Sequence, residues 1–404
     1  MTAVSAPPSM PASDLAGIDL MLTQDERDVR RAVRDFVSSD VQPHIATWFE
    51  EARIDDLRGL AKRLGSLGVL GMHLEGYGCA GMSATEYGLA CLELEAGDSG
   101  LRSFVSVQGS LAMFAIRRFG SEEQKTEWLP RMAGGEAIGC FGLTEPDHGS
   151  DPSGMRTRAR RDPGSNDGGD WVLDGRKMWI TNGSVADVAI VWARADDGIR
   201  GFVVPTDTPG FSAPEIRHKM SLRASVTSEL VLDSVRLPAD AVLPEAAGLR
   251  GPLSCLNEAR FGIVWGALGA ARSALETALE YAGTRSQFGQ PISSFQLTQQ
   301  KLVEMGLSLS TGSLLALQLG RLKDRGDLRP EHVSLGKLNN VRAALEICRG
   351  ARTILGANGI SLEYPVIRHM NNLESVLTYE GTTEMHTLIL GQAITGHAAF
   401  RSAP

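Results

Sequence analysis

A glutamate near the end of the chain is the residue best suited to acid–base chemistry. Glu380 stands between an aromatic residue and a glycine, in the segment Thr378-Tyr379-Glu380-Gly381-Thr382. Burial of a carboxyl group in such a setting raises its pKa toward neutrality, which a general base needs in order to work at physiological pH. The segment also separates two helical runs, so a helix N-cap region is the alternative interpretation.

A loop in the middle of the chain offers groups for binding a ligand with many acceptors. Hydroxyls and glycine-flanked backbone N–H groups there suit the edge of a flavin ring or a phosphate, although a polar turn explains the loop equally well. The candidate residues are Phe141, Gly142, Leu143, Thr144, Gly149 and Ser150. Further along, Trp179-Ile180-Thr181 puts an indole beside a hydroxyl, where it could face a flat heterocycle or lie in a core.

Two segments in the C-terminal half could also contact a ligand. Arg285 begins the run Arg285-Ser286-Gln287-Phe288, which joins two helices shortly before Gln296. Its guanidinium could bind a phosphate in bidentate fashion or answer the dipole at a helix C-terminus. Leu355-Gly356-Ala357 ends another helix, where the glycine permits a close backbone approach or a simple C-cap.

A glycine-rich segment matches the dinucleotide-binding fingerprint only by its letters. Gly76-Tyr77-Gly78-Cys79-Ala80-Gly81 fits G-x-G-x-x-G, and Glu95 lies near the offset expected for a ribose-binding acid. A helical segment follows instead of a second parallel strand, so the βαβ unit that this chemistry needs is missing. The pattern therefore predicts a loop.

The elements that must position these residues read as helical, then rich in strands, then helical. Three capping boxes begin helices at Thr23, Ser83 and Ser121, the last of which is expected to be short and to end before Pro130. A further helix is predicted over most of 43–66, and the segment 100–119 is helical in period. Short strands fill 136–245, with Asp174-Gly175 as a hairpin turn between two of them. Long helices follow at about 251–283, 295–324, 331–356 and 383–399.

These boundaries predict a flexible tail at 1–18, an all-α domain at 19–135, a β domain at 136–245 and a helical bundle at 246–404. The composition is that of a globular enzyme, with 43% hydrophobic and 22% charged residues among 404. A net charge of −8 disfavours a nucleic-acid binder or a partner at an anionic membrane. The five scattered cysteines predict no disulfide and no metal site. No targeting sequence or apolar run of spanning length is recognised, so a cytoplasmic location is expected.

Taken in order, the segments TEPxxGSD, WITN, RxxFGxPxxxxQ, LGxNG and YEGT resemble the acyl-CoA dehydrogenase flavoprotein family, from about residue 20 to 400. The resemblance implies an α+β, mostly α fold: an N-terminal helical domain, a central β-barrel-like domain and a C-terminal four-helix bundle. It also implies FAD as cofactor, a homotetramer, and an electron-transferring flavoprotein as electron acceptor.

The resemblance also assigns roles to residues. Glu380 matches the catalytic base, with its backbone N–H as one donor to the thioester oxygen. The base of some relatives lies on an earlier helix, at a position that is Ala259 here. The FAD-binding set implied is Phe141, Gly142, Leu143, Thr144, Gly149, Ser150, Trp179, Ile180, Thr181, Arg285, Phe288, Gln296, Leu355, Gly356, Ala357, Thr382, Glu384 and Phe400. The substrate-binding set implied is Glu95, Arg102, Ser103, Ser150, Leu253, Asn257, Arg260, Tyr379 and Gly381.

The segment Glu93–Ser103 resembles the branch of the family that acts on glutaryl-CoA. In that branch an Arg-Ser pair, here Arg102 and Ser103, binds the distal carboxylate of the substrate, and oxidation is followed by loss of CO2 to give crotonyl-CoA. A helix-capping or ion-paired arginine is the alternative for Arg102, with Glu95 or Asp98 as its partner. The alternative functions are a short-chain, branched-chain or other dicarboxylyl acyl-CoA dehydrogenase without decarboxylation, a flavin monooxygenase or oxidase, and a nucleic-acid binder.

Overall fold

The computed structural model describes residues 11–162 and 169–399, in which helical, sheet and helical regions follow one another along the chain. The helices before the sheet are α1 (Ile18–Met21), α2 (Gln24–Phe36), α3 (Ile45–Glu51), α4 (Leu57–Ser66), α5 (Ala84–Gly97), α6 (Ser99–Ser106), α7 (Phe114–Phe119) and α8 (Glu122–Ala133). A two-stranded hairpin, β1 (Glu75–Gly76) and β2 (Cys79–Ala80), occupies the glycine-rich segment. That segment is therefore a tight turn and has no βαβ unit, as predicted.

The three predicted capping boxes are confirmed, since Thr23, Ser83 and Ser121 each exchange hydrogen bonds with the residue three positions on. The single helix predicted over 43–66 is wrong. Ala52 adopts a left-handed conformation with φ 57° and ends α3, and Asp56 caps a separate α4. The helix that begins after Ser121 also continues through Pro130 to Ala133 instead of ending before the proline.

A mixed sheet forms the middle of the molecule. Its strands are β3 (Gly139–Gly142), β4 (Arg158–Arg161), β5 (Trp171–Thr181), β6 (Val188–Ala195), β7 (Gly198–Pro205), β8 (Phe211–Ser212) and β9 (Thr227–Leu237). The order is β3-β6-β4-β5-β9-β8, with β7 on β6, and β3 runs parallel to β6.

The hairpin predicted at Asp174-Gly175 is wrong, because these residues lie inside the continuous strand β5. The register against β9 shifts between Leu173, which pairs with Val235, and Gly175, which pairs with Leu232, so Asp174 lies opposite a β-bulge whose extra residue is on β9. A Cβ at Gly175 would lie 2.5 Å from the hydroxyl oxygen of Thr157, so the close approach of the residue that precedes β4 explains the glycine.

The helices after the sheet are α9 (Arg250–Thr284), α10 (Gln296–Asp324), α11 (Pro330–Leu355), α12 (Val366–Thr378) and α13 (Thr383–Thr395), and a second hairpin joins β10 (Ser286–Gln287) to β11 (Gln290–Pro291). Helix α12 was not predicted as a separate element. The observed architecture confirms the α+β, mostly α class.

Helix α10 is apolar and long enough, by length and composition alone, to cross a membrane, whereas the sequence predicted no such segment. It packs against α5, α9 and α11. That packing accounts for part of its apolar surface, because helices of a bundle need an apolar stripe wherever they touch their neighbours.

Part of the segment predicted as a tail is structured. Residues Ala12–Asp14 form a 3-10 helix, and Asp14 accepts a hydrogen bond of 2.6 Å from the backbone N–H of Ile18. The Leu15 side chain lies beside Gly306 of α10, which ties this region to the C-terminal helices.

A buried ion cluster joins the first and last helical regions. Glu93 on α5 is 1% exposed and accepts hydrogen bonds from Arg272 of α9 at 2.5 and 2.6 Å. Arg30 and Arg34 of α2 contact the same carboxylate. Burial alone would raise the pKa of Glu93, but the charges and hydrogen bonds of Arg272 and Arg34 outweigh it and hold the pKa below its usual value.

Replacing Glu93 by alanine should lower the free energy of unfolding by about 3–5 kcal/mol, because Arg272 would be left buried without its partner. Denaturant unfolding at pH 7 measures this. Arg53→Ala is the matched control, since Arg53 pairs with Glu51 and Asp55 on the surface and should contribute about 1 kcal/mol or less. Equal losses in the two variants would contradict the role of the cluster. Because the pKa of Glu93 is lowered, its contribution is present at neutral pH and disappears as the pH falls through that pKa.

Candidate active site

Glu380 lies in a short turn between α12 and α13. Its backbone is left-handed, with φ 52°, a conformation that costs a residue other than glycine about 1–3 kcal/mol. Thr382 caps α13 by accepting a hydrogen bond of 3.3 Å from the N–H of Met385, so the helix-cap role belongs to Thr382 and not to Glu380. The glutamate is thus free for another purpose.

The Glu380 carboxyl group lies among cations. Its Oε2 is buried and lacks a hydrogen-bond partner within the described part of the chain. Burial raises the pKa of Glu380, and the nearby charges of Arg102, Lys337 and Arg260 limit the increase. A carboxylate with these properties can accept a proton near neutral pH from a group brought beside Oε2.

Arg102, on α6, contacts the tyrosine that precedes Glu380. Its side chain is fully buried, with Nε 2.7 Å from Glu95 Oε2 of α5 and Nη2 donating to the Tyr379 hydroxyl. Ser103 Oγ lies 3.2 Å from that same hydroxyl. Nη1 of Arg102 is buried and has no acceptor among the described residues. An unmet guanidinium N–H in the interior is costly, so the geometry suits an anionic ligand group at Nη1.

The break between α5 and α6 sets the direction of Arg102. Asp98 caps α6 by accepting from Gly100 N–H at 2.7 Å, and it also pairs with Arg368 at 2.6 Å and Asn372 at 2.8 Å, both on α12. Of the two ion-pair partners considered for Arg102, Glu95 is the one observed. Asp98 pairs with Arg368 instead.

Helix α9 supplies the third cation near Glu380, which is Arg260, and part of the lining of a cavity. Arg260 Nε donates to the Glu380 carbonyl oxygen at 2.6 Å, and Nη1 lies 3.3 Å from Asn257 Oδ1. Ala259 has no ionisable side chain, and Glu258 forms an ion pair of 2.5 Å with Lys323, so neither serves as an alternative base. Asn257 lines a cavity of about 260 Å³ between α9 and α11. Leu253, one turn earlier, is 38% exposed on α9.

A buried ion pair between Glu145 and Lys177 anchors the loop that was predicted to bind a flat ligand. Lys177 Nζ lies 2.8 Å from Glu145 Oε1 and 3.2 Å from the Leu143 carbonyl oxygen. Glu145 also accepts from the N–H groups of Arg156 and Thr157. Burial would raise the pKa of Glu145, but these hydrogen bonds and Lys177 lower it to about 2. The loop is therefore held at the edge of the sheet.

Trp179 is the outward-facing group of this region. It is 60% exposed, its φ is 63°, and it sits where the register of β5 shifts against β9. Ile180 instead points into the core of the sheet, so its side chain is not available to a ligand. The remaining residues divide by exposure: Phe141, Gly142 and Leu143 are buried, Thr144 and Thr181 are partly buried, and Gly149 and Ser150 are exposed.

The C-terminal candidates lie on the surface. Arg285 and Gln296 flank the second hairpin, and Phe288 at its tip is 94% exposed with φ 52°. Gly356, with φ 59°, ends α11 after the buried Leu355, and Ala357 is exposed. Glu384 is exposed in the first turn of α13. Phe400 lies outside the described residues.

Two residues of the site were missed by sequence reasoning. Lys337 of α11 donates to the carbonyl oxygens of Tyr379 and Gly381, and His386 Nδ1 lies 3.0 Å from Ser334 Oγ. A signal existed: Ser334, Lys337 and Asn340 recur every three residues on the buried face of α11. Polar residues at helical spacing on a core face are exceptional and mark a network or a site.

Three family models cover most of the chain. The model for the acyl-CoA dehydrogenase N-terminal domain matches residues 23–136, the middle-domain model 140–235 and the C-terminal-domain model 246–395.

Individual proteins of known structure or curated sequence are similar to this chain over nearly its whole length. A crystal structure of glutaryl-CoA dehydrogenase from Mycobacterium smegmatis is 69% identical, with a TM-score of 0.95, over 97% of this chain and 100% of that one. A second such structure from the same organism, in complex with FADH2, is 65% identical with a TM-score of 0.94 over the same shares. The mitochondrial short-chain specific acyl-CoA dehydrogenase of Bos taurus is 35% identical over 93% of this chain and 90% of its own length.

Gly381→Ala should lower the free energy of unfolding by about 1–3 kcal/mol, because Gly381 has φ 97°. A Cβ there would also lie 2.8 Å from His386 Nε2 and 3.3 Å from Arg260 Nη2. Denaturant unfolding measures the loss. Gly391→Ala in α13 is the control, because its Cβ would meet nothing within 4 Å and alanine favours a helix by about 1 kcal/mol. Loss of stability at Gly391 with none at Gly381 would contradict this account of the turn.

Proposed function

The chain belongs to the acyl-CoA dehydrogenase family, and we propose that it is an FAD-dependent enzyme that oxidises glutaryl-CoA and decarboxylates the product to crotonyl-CoA. The observation that carries the proposal is the buried Arg102 guanidinium, whose Nη1 lacks an acceptor within the described residues and whose Nη2 contacts the tyrosine next to Glu380. One site therefore offers a base for one end of an acyl chain and a cation for the other. The 65–69% identity to glutaryl-CoA dehydrogenases supports the same reading.

The residues of the middle domain fit FAD. An exposed indole held on a bulged strand can cover one face of a flat ring, and the exposed Ser150 and the partly buried Thr144 provide hydroxyls at the loop that Glu145 anchors. Arg285 and Gln296 suit the pyrophosphate and the distal part of the cofactor. When bound, FAD supplies the acceptor for a hydride from the substrate β-carbon.

Glu380 would remove the substrate α-proton. The thioester carbonyl makes that proton acidic, and its oxygen gains negative charge as the proton leaves, so a backbone N–H such as that of Glu380 is needed as a donor. The raised pKa of Glu380 makes it a stronger base than a surface carboxylate, while Arg102, Arg260 and Lys337 keep it ionised. Activity should therefore fall as the pH drops through this raised pKa.

Arg102 would hold the distal carboxylate through Nη1, with Ser103 and Tyr379 beside it. Glu95 already balances the charge of Arg102, so the site need not hold the substrate carboxylate as a full counterion. That balance matters in decarboxylation: the bond from the γ-carbon to the carboxylate breaks, its electron pair moves into the conjugated thioester, and neutral CO2 departs. A proton returned to the γ-carbon then gives crotonyl-CoA.

We further propose that the enzyme is a cytoplasmic homotetramer that passes electrons to an electron-transferring flavoprotein. The exposed apolar side chains of Val303, Leu307 and Leu314 recur at four and seven residues, on one face of α10. Such a face supports contact with a second copy, and the exposed Phe288 supports a cofactor site that a neighbouring copy completes.

Incubating the FAD-loaded protein with glutaryl-CoA and an artificial electron acceptor should yield crotonyl-CoA and one equivalent of CO2. Mass spectrometry of the CoA products measures this. Glu380→Gln should abolish turnover while retaining FAD, because the amide cannot take the α-proton. Glutaconyl-CoA without CO2 would refute decarboxylation, and faster turnover of butyryl-CoA than of glutaryl-CoA would point to a short-chain enzyme.

The double variant Arg102→Met/Glu95→Gln should lower kcat/KM for glutaryl-CoA by about 10- to 100-fold and leave that for butyryl-CoA within a few-fold, because it removes the anchor without stranding a buried charge. Steady-state kinetics with both substrates measure the difference, and Glu95→Gln alone is the control that retains the guanidinium. An equal loss for the two substrates would disprove the anchor.

A further inference from the structure

Two cations from different helices hold three successive carbonyl groups around the base. Lys337 Nζ donates to the carbonyl oxygens of Tyr379 and Gly381, the latter at 2.6 Å, and Arg260 Nε donates to that of Glu380 at 2.6 Å. Lys337 is 2% exposed. The backbone thus meets an ammonium group on one side and a guanidinium on the other, at the residue whose φ is 52°.

A buried lysine is an expensive way to hold a turn. Burial lowers the pKa of Lys337 to about 7, with Glu380 acting to raise it and Arg260 and Arg102 to lower it further. A neutral donor such as glutamine would satisfy a backbone carbonyl at smaller cost in desolvation. The charge therefore needs an explanation beyond hydrogen bonding. The Glu380 carboxylate, whose Oε2 has no hydrogen-bond partner among the described residues, is the negative group that acts on the pKa of Lys337.

We infer that Lys337 is a positioning residue for the base: it fixes the left-handed turn that aims the Glu380 carboxylate, and its charge keeps that carboxylate ionised. The inference rests on the proposed role of Glu380 as base. It adds a requirement to the removal of the α-proton: a second titrating group, Lys337 on α11, sets the pH range in which the Glu380 carboxylate is ionised.

The ionisable groups that face Glu380 come from every helix packed around it. They are Cys91 and Glu95 of α5, Arg102 of α6, Arg260 of α9, Lys337 of α11, His386 of α13 and the neighbouring Tyr379. Burial raises the pKa of the Cys91 thiol to about 12, so it is uncharged near neutral pH. Burial lowers the pKa of His386 to about 3, so this imidazole is neutral at physiological pH and adds no charge. Arg102 and Arg260 stay charged throughout, which leaves Lys337 as the cation in this group whose charge varies near neutrality.

The direction of the coupling follows from these charges. A nearby ammonium group favours the ionised carboxylate, so loss of the Lys337 charge raises the pKa of Glu380. Protonation of Glu380 in turn removes the negative charge that favours the Lys337 ammonium group. The two groups therefore titrate as a pair, and a variant of one should move the apparent pKa of the other.

Lys337→Met and Lys337→Gln, prepared with FAD and without substrate, test the inference by difference infrared titration. The protonated-carboxyl band that is absent from Glu380→Gln reports the ionisation of Glu380 directly. In both variants this band should persist to higher pH than in the unaltered protein, by about one pH unit or more. The acidic limb of kcat for the acyl-CoA should move by the same amount, with KM changed little.

Two controls separate positioning from simple loss of a buried lysine. Lys337→Arg retains a cation and should leave the carboxyl band at its original pH. Lys219→Met removes a second lysine, which is partly buried and donates to backbone carbonyl oxygens, at 2.8 Å for Ser225, and this variant should leave the band unmoved.

An unshifted band in both neutral variants would overturn the inference, and so would loss of FAD or of the fold in both, since Lys337 would then be only structural. The infrared titration needs no turnover. If the unaltered protein fails to oxidise acyl-CoA, the proposed function fails while the coupling of Lys337 to Glu380 is still measured.

Discussion

A carboxyl group that is buried and still able to ionise is the constraint on which the rest of this structure depends. Burial makes Glu380 basic, but burial without compensation would leave it protonated and inert. Arg102, Arg260 and Lys337 supply the compensation, and each stands on a different helix. The site therefore exists only when α6, α9 and α11 are brought together around the turn between α12 and α13.

Other buried ion pairs explain how those helices are brought together. Glu93 links α2, α5 and α9, and Asp98 links the start of α6 to α12 through Arg368 and Asn372. These contacts join residues that are 170 or more positions apart in sequence, except for those of α2 with α5. Each charge would be costly alone in the interior, so the helices are held in the arrangement in which every partner is present.

A buried ion pair also fixes a loop in the middle domain. A ligand-binding loop must be exposed, and exposed loops are mobile unless something fixes them. Here Glu145 turns inward, pairs with Lys177 of β5 and accepts two backbone N–H groups, while Gly149 and Ser150 of the same loop are exposed. The bulge that exposes Trp179 lies on the same strand, so one element of the sheet carries both the anchor and the aromatic surface.

The sequence by itself determined the family, the order of helical and sheet regions, the capped helix starts and the candidate base. These depend on local patterns: a capping box needs only four residues, and the family segments are read as strings. Local reasoning failed where two interpretations are equivalent along the chain. Asp174-Gly175 fits a hairpin turn as well as an irregular position inside one strand, and only the pairing of β5 with β9 decides between them. Only the tertiary structure gave Lys337 a role, because the spacing of Ser334, Lys337 and Asn340 marks a polar face on α11 without identifying its partners, and those of Lys337 lie more than 40 residues away. Electrostatic free energy depends on distance in space and on burial, and neither is written in the sequence.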